Sequence, residues 1–298
     1  MVSPLSTASR HPGRAVLVLL ACAALWSLNG PLIKLLDAAD VPGITIACYR
    51  SLLGGLLFLP LAWGRRSTLK NVNRVWPLAA ILAFTFMTAS FCIATANTAA
   101  ASAIILQYTS PIWVFLLAPL VLGERPGGIE GGVLLVAMAG VGIIFFTSPA
   151  TETTMLIVAL GSGLGYGTLT VTLRGLRPVN PFVVAATNAL GSGLLLILPV
   201  ALWGTFVISP RAWLLVLILS IVQFTLPYVL FSWALQRIEA HRAALILLLE
   251  TILNPLWTFL LVGEAVPIPT LMGGPLILLG VAGWLVLSWR RALRQRSP

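Results

Sequence analysis

Charged residues occupy 9% of the 298 positions while 59% are hydrophobic, and the mean hydropathy is +1.01. A soluble domain carries charge on about a quarter of its residues, so this composition excludes a water-exposed fold and requires a membrane. The net charge of +10 gathers in short clusters between apolar stretches, not on a basic face or an aromatic–basic module, which argues against nucleic-acid binding.

Ten apolar stretches of about 20 residues, each long enough to cross a ~30 Å hydrocarbon core, are predicted in chain order. They lie at 15–36, 42–63, 76–96, 99–121, 128–147, 154–174, 181–203, 212–236, 242–262 and 268–289. Before the first, Arg10, His11 and Arg14 resemble the basic start of a signal peptide, and Leu19-Leu20-Ala21-Cys22 resembles a lipoprotein cleavage box. The apolar run continues past Cys22 to Leu36, where a mature lipoprotein would have a polar tether, so the segment is expected to be retained as a span. Cys22, Cys48 and Cys92 all fall inside apolar stretches and are expected to act as small hydrophobes, forming neither a disulfide framework nor a metal site. Connections are short and begin or end on residues such as Pro42, Pro77, Pro126 and Pro181.

The loop charges predict an orientation. One set of loops and ends holds Arg10, Arg14, Arg65, Arg66, Lys70, Arg74, Arg125, Arg174, Arg177, Arg237, Arg242, Arg290, Arg291, Arg294 and Arg296. The other holds Asp37, Asp40, Glu152 and Glu264, with only Lys34 and Arg211 nearby as bases. By the positive-inside rule both termini are expected in the cytoplasm of a bacterial cell, with the chain in the inner membrane.

An internal repeat runs at an offset of 140 residues. Trp26 falls on Tyr166, Lys34 on Arg174, Phe91 on Phe231, Ala94 on Ala234, Ala100 on Ala240 and Ala103 on Ala243. Gly123-Glu124 falls on Gly263-Glu264, and Gly140-Val141 on Gly280-Val281. At 139, Pro42, Gly54 and Pro60 match Pro181, Gly193 and Pro199. The expected organisation is an all-α membrane protein: a cytoplasmic segment 1–14, a first five-helix repeat 15–148, a second 149–289, and a basic cytoplasmic tail 290–298. Because five is odd, the halves must be inverted with respect to the membrane. That is a transporter architecture, in which exchanging the conformations of the two halves exposes a central cavity to alternate sides. A membrane scaffold or assembly subunit is the alternative.

Bends are expected at Pro31 (in Asn29-Gly30-Pro31), Pro111, Pro227 and Pro255 (in Asn254-Pro255); close helix packing is the competing explanation for each. Two charges lie deep. Arg50 must face protein or water at its depth in the second span, and would either grip a carboxylate or tie helix ends together through backbone carbonyls. Glu250, in the ninth span, would be either a proton carrier or a polar brace. Lys34 and Arg174 are expected to snorkel to the interface, and the two Gly-Glu pairs to end helices. Trp26, Asn29, Thr88, Gln107, Tyr108, Tyr166, Asn188, Gln223 and Tyr228 supply the amides, hydroxyls and rings at mid-depth from which a substrate cavity could be built. No paired carboxylates, metal-ligand cluster, nucleophile elbow or phosphate loop is present, so no enzymatic activity, cofactor or metal is expected.

These residues, in their order, resemble the drug/metabolite transporter superfamily, and specifically its ten-helix EamA-type exporters. The resemblance rests on Leu25-Trp26-Ser27-Leu28-Asn29-Gly30-Pro31 with Lys34, on Arg50, on Pro111, on Gly123-Glu124-Arg125, on Leu249-Glu250 and on Gly263-Glu264. The family usually has Pro directly after that first Glu; here Thr251 follows and the Pro comes at 255, which bears on where the ninth helix bends. Within the family the chain looks closest to YddG-type exporters. The resemblance implies a cavity lined by helices one to four and six to nine, with five and ten peripheral, and export of aromatic and other neutral amino acids. The expected partners are a small-molecule substrate and the lipid bilayer, with no obligate protein partner. A sugar-phosphate antiporter would need more than one deep cation, and a small cationic-drug exporter would rely on Glu250; both remain as alternatives.

Overall fold

The computed structural model describes residues 12–123, 128–238 and 240–294, all of whose regular elements are helical. The start of the N-terminal segment, the Glu124-Arg125 pair and the end of the basic tail lie outside the described residues. Among the described residues nine helices, taken across their short interruptions, are long and apolar enough to cross a membrane, and the apolar stretch Gly131–Thr147 is a shorter tenth. The chain is therefore an all-α, multi-pass membrane protein in two five-helix halves of opposite sense.

Four spans are not simple helices. The first consists of α1 (Pro12–Trp26) and α2 (Asn29–Asp37); the second is α3 (Gly43–Trp63) and the third α4 (Val75–Asn97). The fourth divides into α5 (Ala100–Gln107) and α6 (Ser110–Leu122), and the fifth is α7 (Gly128–Thr147). In the second half, α8 (Thr153–Gly175) and α9 (Pro181–Trp203) are continuous. The eighth span runs through α10 (Pro210–Ile218), a π-helical segment Leu219–Thr225, and α11 (Leu226–Leu235). The ninth divides into α12 (Ala240–Leu247) and α13 (Leu249–Val262), and α14 (Ile268–Arg294) ends the described chain.

Local chemistry sets the ends. Asn180 and Ser209 cap α9 and α10 by accepting hydrogen bonds from the amides of Phe182 (3.1 Å) and Ala212 (3.2 Å), each ahead of a proline in the first turn. Gly123 and Gly263, matched by the repeat, end α6 and α13 in left-handed conformations with φ of 66° and 78°, the geometry glycine adopts without a Cβ penalty.

Repeat mates pack against each other: α3 lies along α9, and α7 along α14 with Gly140 facing Gly273. Close backbone contact through small residues replaces the hydrophobic drive that lipid does not provide. The largest buried cluster joins α2, α3, α4, α5, α9 and the π segment, so the core sits where the halves meet. The basic residues of the loops define one face of the molecule, where Arg66 and Arg237 lie over the rings of Trp63 and Trp233 at 4.4 and 4.0 Å. Asp37, Asp40, Glu152 and Glu264 mark the opposite, acidic face.

Candidate functional site

The interruptions in the first, fourth and ninth spans meet at one depth. Proline lacks an N–H and its ring crowds the carbonyl four residues back, so Pro31 and Pro111 disturb the helix at Ser27 and Gln107, where α1 and α5 end. The ninth span breaks at Leu248, the repeat mate of Tyr108, without a proline at the mate of Pro111. Thr251 stands there, and its hydroxyl donates to the Leu248 carbonyl at 2.7 Å. Hydroxyls serve the other breaks in the same way, from Ser27 to the Ala24 carbonyl (2.7 Å) and from Thr109 to the Leu106 carbonyl (2.6 Å). Pro255, one of the four positions where a bend is expected, lies instead inside uninterrupted α13. Pro227 is the second residue after the π segment, whose wide turn releases backbone bonds and is a common device at functional sites.

Glu250 occupies the crossing of these breaks. The Tyr108 hydroxyl lies 2.8 Å from its Oε2 and 3.1 Å from the Leu247 carbonyl, and the Asn29 amide donates to its Oε1 at 3.4 Å. Asn254 in turn donates to the Asn29 side-chain oxygen. Asn29, Asn254 and Glu250 are all buried, and with Tyr108 they join the first, ninth and fourth spans in a buried polar knot. Gly30 makes it possible: a Cβ there would lie 2.5 Å from the Asn254 Oδ1.

Arg50 lies on α3, only 6% exposed, and donates to the Thr88 hydroxyl on α4. Its guanidinium carbon stands 5.6 Å from the centre of the Phe224 ring, a cation–π arrangement. Phe224 begins an aromatic wall: Phe58, Phe84 and Tyr228 have ring centres 6.0, 6.1 and 6.4 Å away. Tyr228 lies 6.3 Å from Trp26, which meets Phe231 at 5.3 Å. Gln223 donates to the Trp26 carbonyl at 3.1 Å, tying the π segment to the end of α1. The wall thus runs from Arg50 to the break in the first span, and on through Asn29 to Glu250. Tyr166, midway along α8, keeps 39% of its surface exposed.

At the acidic face the Lys34 ammonium and the Glu264 carboxylate form an ion pair of 2.9 Å, with side chains 14% and 23% exposed. Glu264 also accepts from the Ala100 amide at 2.8 Å, and Lys34 reaches the Ala96 carbonyl at 3.5 Å. Lys34 thus closes a contact between the ends of the first, third, fourth and ninth spans, where snorkelling to the interface was the expectation.

Of the residues expected to line a cavity, Trp26, Asn29, Tyr108, Gln223 and Tyr228 fall in one connected group with Glu250, Thr88 joins through Arg50, and Tyr166 stands apart on α8. Gln107 is buried at the end of α5, where Gly163 of α8 approaches its backbone, and Asn188 is buried on α9 with a side-chain oxygen that has no partner among the described residues. Phe58 and Phe224 belong to the arrangement but are not distinguished by sequence, and neither is the pairing of Lys34 with Glu264. A separate apolar groove of about 590 Å³ lies between the ends of α3, α4 and α9, lined by residues such as Ile44, Phe86, Leu196 and Trp203. It has few groups able to orient a polar solute and includes none of the residues above.

The sequence matches the EamA-like transporter family twice, over residues 13–146 and 153–286. It is 31% identical over 252 residues to an uncharacterized transporter of Archaeoglobus fulgidus, covering 83% of this chain and 87% of that protein. It is 24% identical over 280 residues to the uncharacterized transporter YwfM of Bacillus subtilis, covering 91% of this chain and 93% of the relative. A crystal structure sharing 20% identity superposes with a TM-score of 0.65 over 93% of this chain and 99% of its own, a likeness of fold.

Proposed function

Because the chain belongs to the EamA-like transporter family, we propose that it exports neutral amino acids, aromatic ones included, across the bacterial inner membrane by alternating access between its two inverted halves. The basic face is cytoplasmic in this reading. The observation that carries it is the pairing, in one buried core, of a cation and a carboxylate joined by an aromatic wall: Arg50, Glu250, and the rings of Phe224, Tyr228 and Trp26. A zwitterion matches such a core, since its own charges are opposite and its side chain can lie on rings. A dianion does not, because every unpaired ion at this depth is costly.

The acidic face is tied shut by Lys34–Glu264 and by the knot around Glu250. This conformation suits loading from the cytoplasm. The broken first, fourth and ninth spans supply segments able to move about the breaks.

Purified protein in liposomes tests the reading. Labelled phenylalanine and leucine are expected to accumulate against a preloaded amino-acid pool, with poor competition from aspartate, glutamate or sugar phosphates. Competition by dianions as strong as that of phenylalanine would overturn it. Glu250 at the crossing of three broken helices favours one second reading, export of small organic cations. That reading is the correct one if such cations move and amino acids do not.

A further inference from the structure

The guanidinium of Arg50 has more hydrogen-bonding capacity than its surroundings use. Of five N–H donors, one meets the Thr88 hydroxyl, and the flat face of the group rests near Phe224. Among the described residues it ties no backbone carbonyl, contrary to the bracing role its sequence position allows. The ion pair present among those residues is Lys34–Glu264, and Glu250 is occupied by Tyr108 and Asn29. A buried cation with free donors in a fixed planar fork is built for a planar acceptor with two oxygens.

The residue before Phe224 presents the complementary lack. Gln223 is buried, its amide nitrogen is engaged with the Trp26 carbonyl, and its side-chain oxygen has no partner among the described residues. A buried acceptor of this kind calls for a donor. Both groups border the aromatic wall: Arg50 lies over Phe224 at one end, and Gln223, the preceding residue on the π segment, is bonded to the backbone of Trp26, to which the wall leads through Tyr228.

We propose that Arg50 binds the α-carboxylate of the transported amino acid and that the Gln223 side-chain oxygen accepts from its α-ammonium, with the substrate side chain laid along Tyr228 and Trp26. This deepens, and rests on, the amino-acid export reading. Glu250 then makes no ion pair with the substrate and remains free for another duty. Thr88 is a positioning residue, since its hydroxyl fixes one arm of the guanidinium.

Equilibrium binding to the purified full-length protein tests the assignment with three probes: phenylalanine, phenethylamine (no carboxylate) and 3-phenylpropionate (no ammonium). The wild type is expected to bind phenylalanine at least about tenfold more tightly than phenethylamine, because a two-oxygen contact to a buried guanidinium is lost. Arg50→Lys keeps the charge and loses the fork. It is expected to weaken phenylalanine and 3-phenylpropionate by about tenfold or more and to leave phenethylamine unchanged. Gln223→Leu should weaken phenylalanine and phenethylamine but not 3-phenylpropionate. Thr88→Val, the gentler change, should reproduce the Arg50→Lys pattern in smaller measure, so a poorly folding Arg50 variant does not block the test. Equal wild-type affinity for phenylalanine and phenethylamine would overturn the proposal, as would an Arg50→Lys variant that weakens all three probes alike. Binding of 3-phenylpropionate that depends on Arg50, in a protein that takes up no amino acid, would uphold the carboxylate site and sink the amino-acid reading instead.

Discussion

Glu264 holds Lys34 at 2.9 Å across the acidic face, joining the last residues of the ninth span to the second half of the first. The contact links the two repeats, so any opening of this face must break it. Both side chains are partly exposed, which limits such a pair to about 1 kcal/mol, or roughly a fivefold change in a two-state population. Lys34→Ala is expected to raise, by about that factor, the reactivity of a cysteine introduced at the buried position Ala101 toward an impermeant maleimide added from the acidic face, in a background lacking Cys22, Cys48 and Cys92. The double exchange Lys34→Glu with Glu264→Lys should restore protection. Unchanged labelling in the single variant would show that the pair does not hold the face closed.

Gly30 is expected to tolerate no side chain. A Cβ would meet the Asn254 amide at 2.5 Å and push apart the knot that holds α2 to α13. Gly30→Ala should cost about 1–3 kcal/mol in stability, as overpacking of a dense core does, and appear as a lower thermal midpoint in detergent. Asn254→Ala added to it should recover part of the loss by vacating the space. A Gly30→Ala protein as stable as wild type contradicts the close contact.

Glu250 accepts from both Tyr108 and Asn29, an arrangement that suits an ionised carboxylate. Proton binding would turn one oxygen into a donor and loosen the tie between the first, fourth and ninth spans, which couples protonation to movement. Glu250→Gln is therefore expected to remove the response of transport to a pH gradient while retaining phenylalanine binding. If uptake by this variant keeps the wild-type response, the residue is a brace and not the proton carrier.

Trp26 contacts Tyr228 and Phe231 edge-on, and such pairs contribute about 0.5–1.5 kcal/mol each beyond burial. Trp26→Ala should raise the KM for phenylalanine and tryptophan about tenfold and that for alanine much less. Equal losses for large and small substrates would place the ring outside the substrate wall.

The loop charges predict that a phosphatase fused after Pro298 is inactive and that a cytoplasmic reporter at the same position is active. The opposite pair of results would reverse the assignment of the basic face.

The spans were legible because stretches of some 20 apolar residues have one physical use. The bends were legible where proline marks them: Pro31 and Pro111 sit one turn beyond breaks at the ends of α1 and α5. The break at Leu248 was not, because a threonine hydroxyl stands where the first half has Pro111, and Pro255 drew attention to a stretch that remains helical. Polar residues at mid-depth stood out against an apolar background, so Asn29, Tyr108, Gln223 and Glu250 could be picked individually. Which of them touch was hidden. Lipid and protein interior are equally apolar, so a span has no polar stripe to show which face looks inward. Phe224 is therefore indistinguishable in sequence from the lipid-facing Phe146, although one lies under Arg50 and the other is 92% exposed.

The two halves are related by sequence but not by shape, and the difference is sharpest between the first span and the sixth. Pro31 helps interrupt the first; its counterpart 140 residues on is Val171, inside the unbroken α8. For the sixth span to take the bent form of the first, it must surrender helical hydrogen bonds at about 1 kcal/mol each, with no proline to release them in advance. The two end states of the cycle are consequently unequal in energy even with no solute bound. In the export reading proposed above, the carrier idles with its acidic face shut, and the excursion that discharges a solute is the uphill stroke. The empty return then runs downhill, so a substrate that stabilises the strained form would speed the whole cycle.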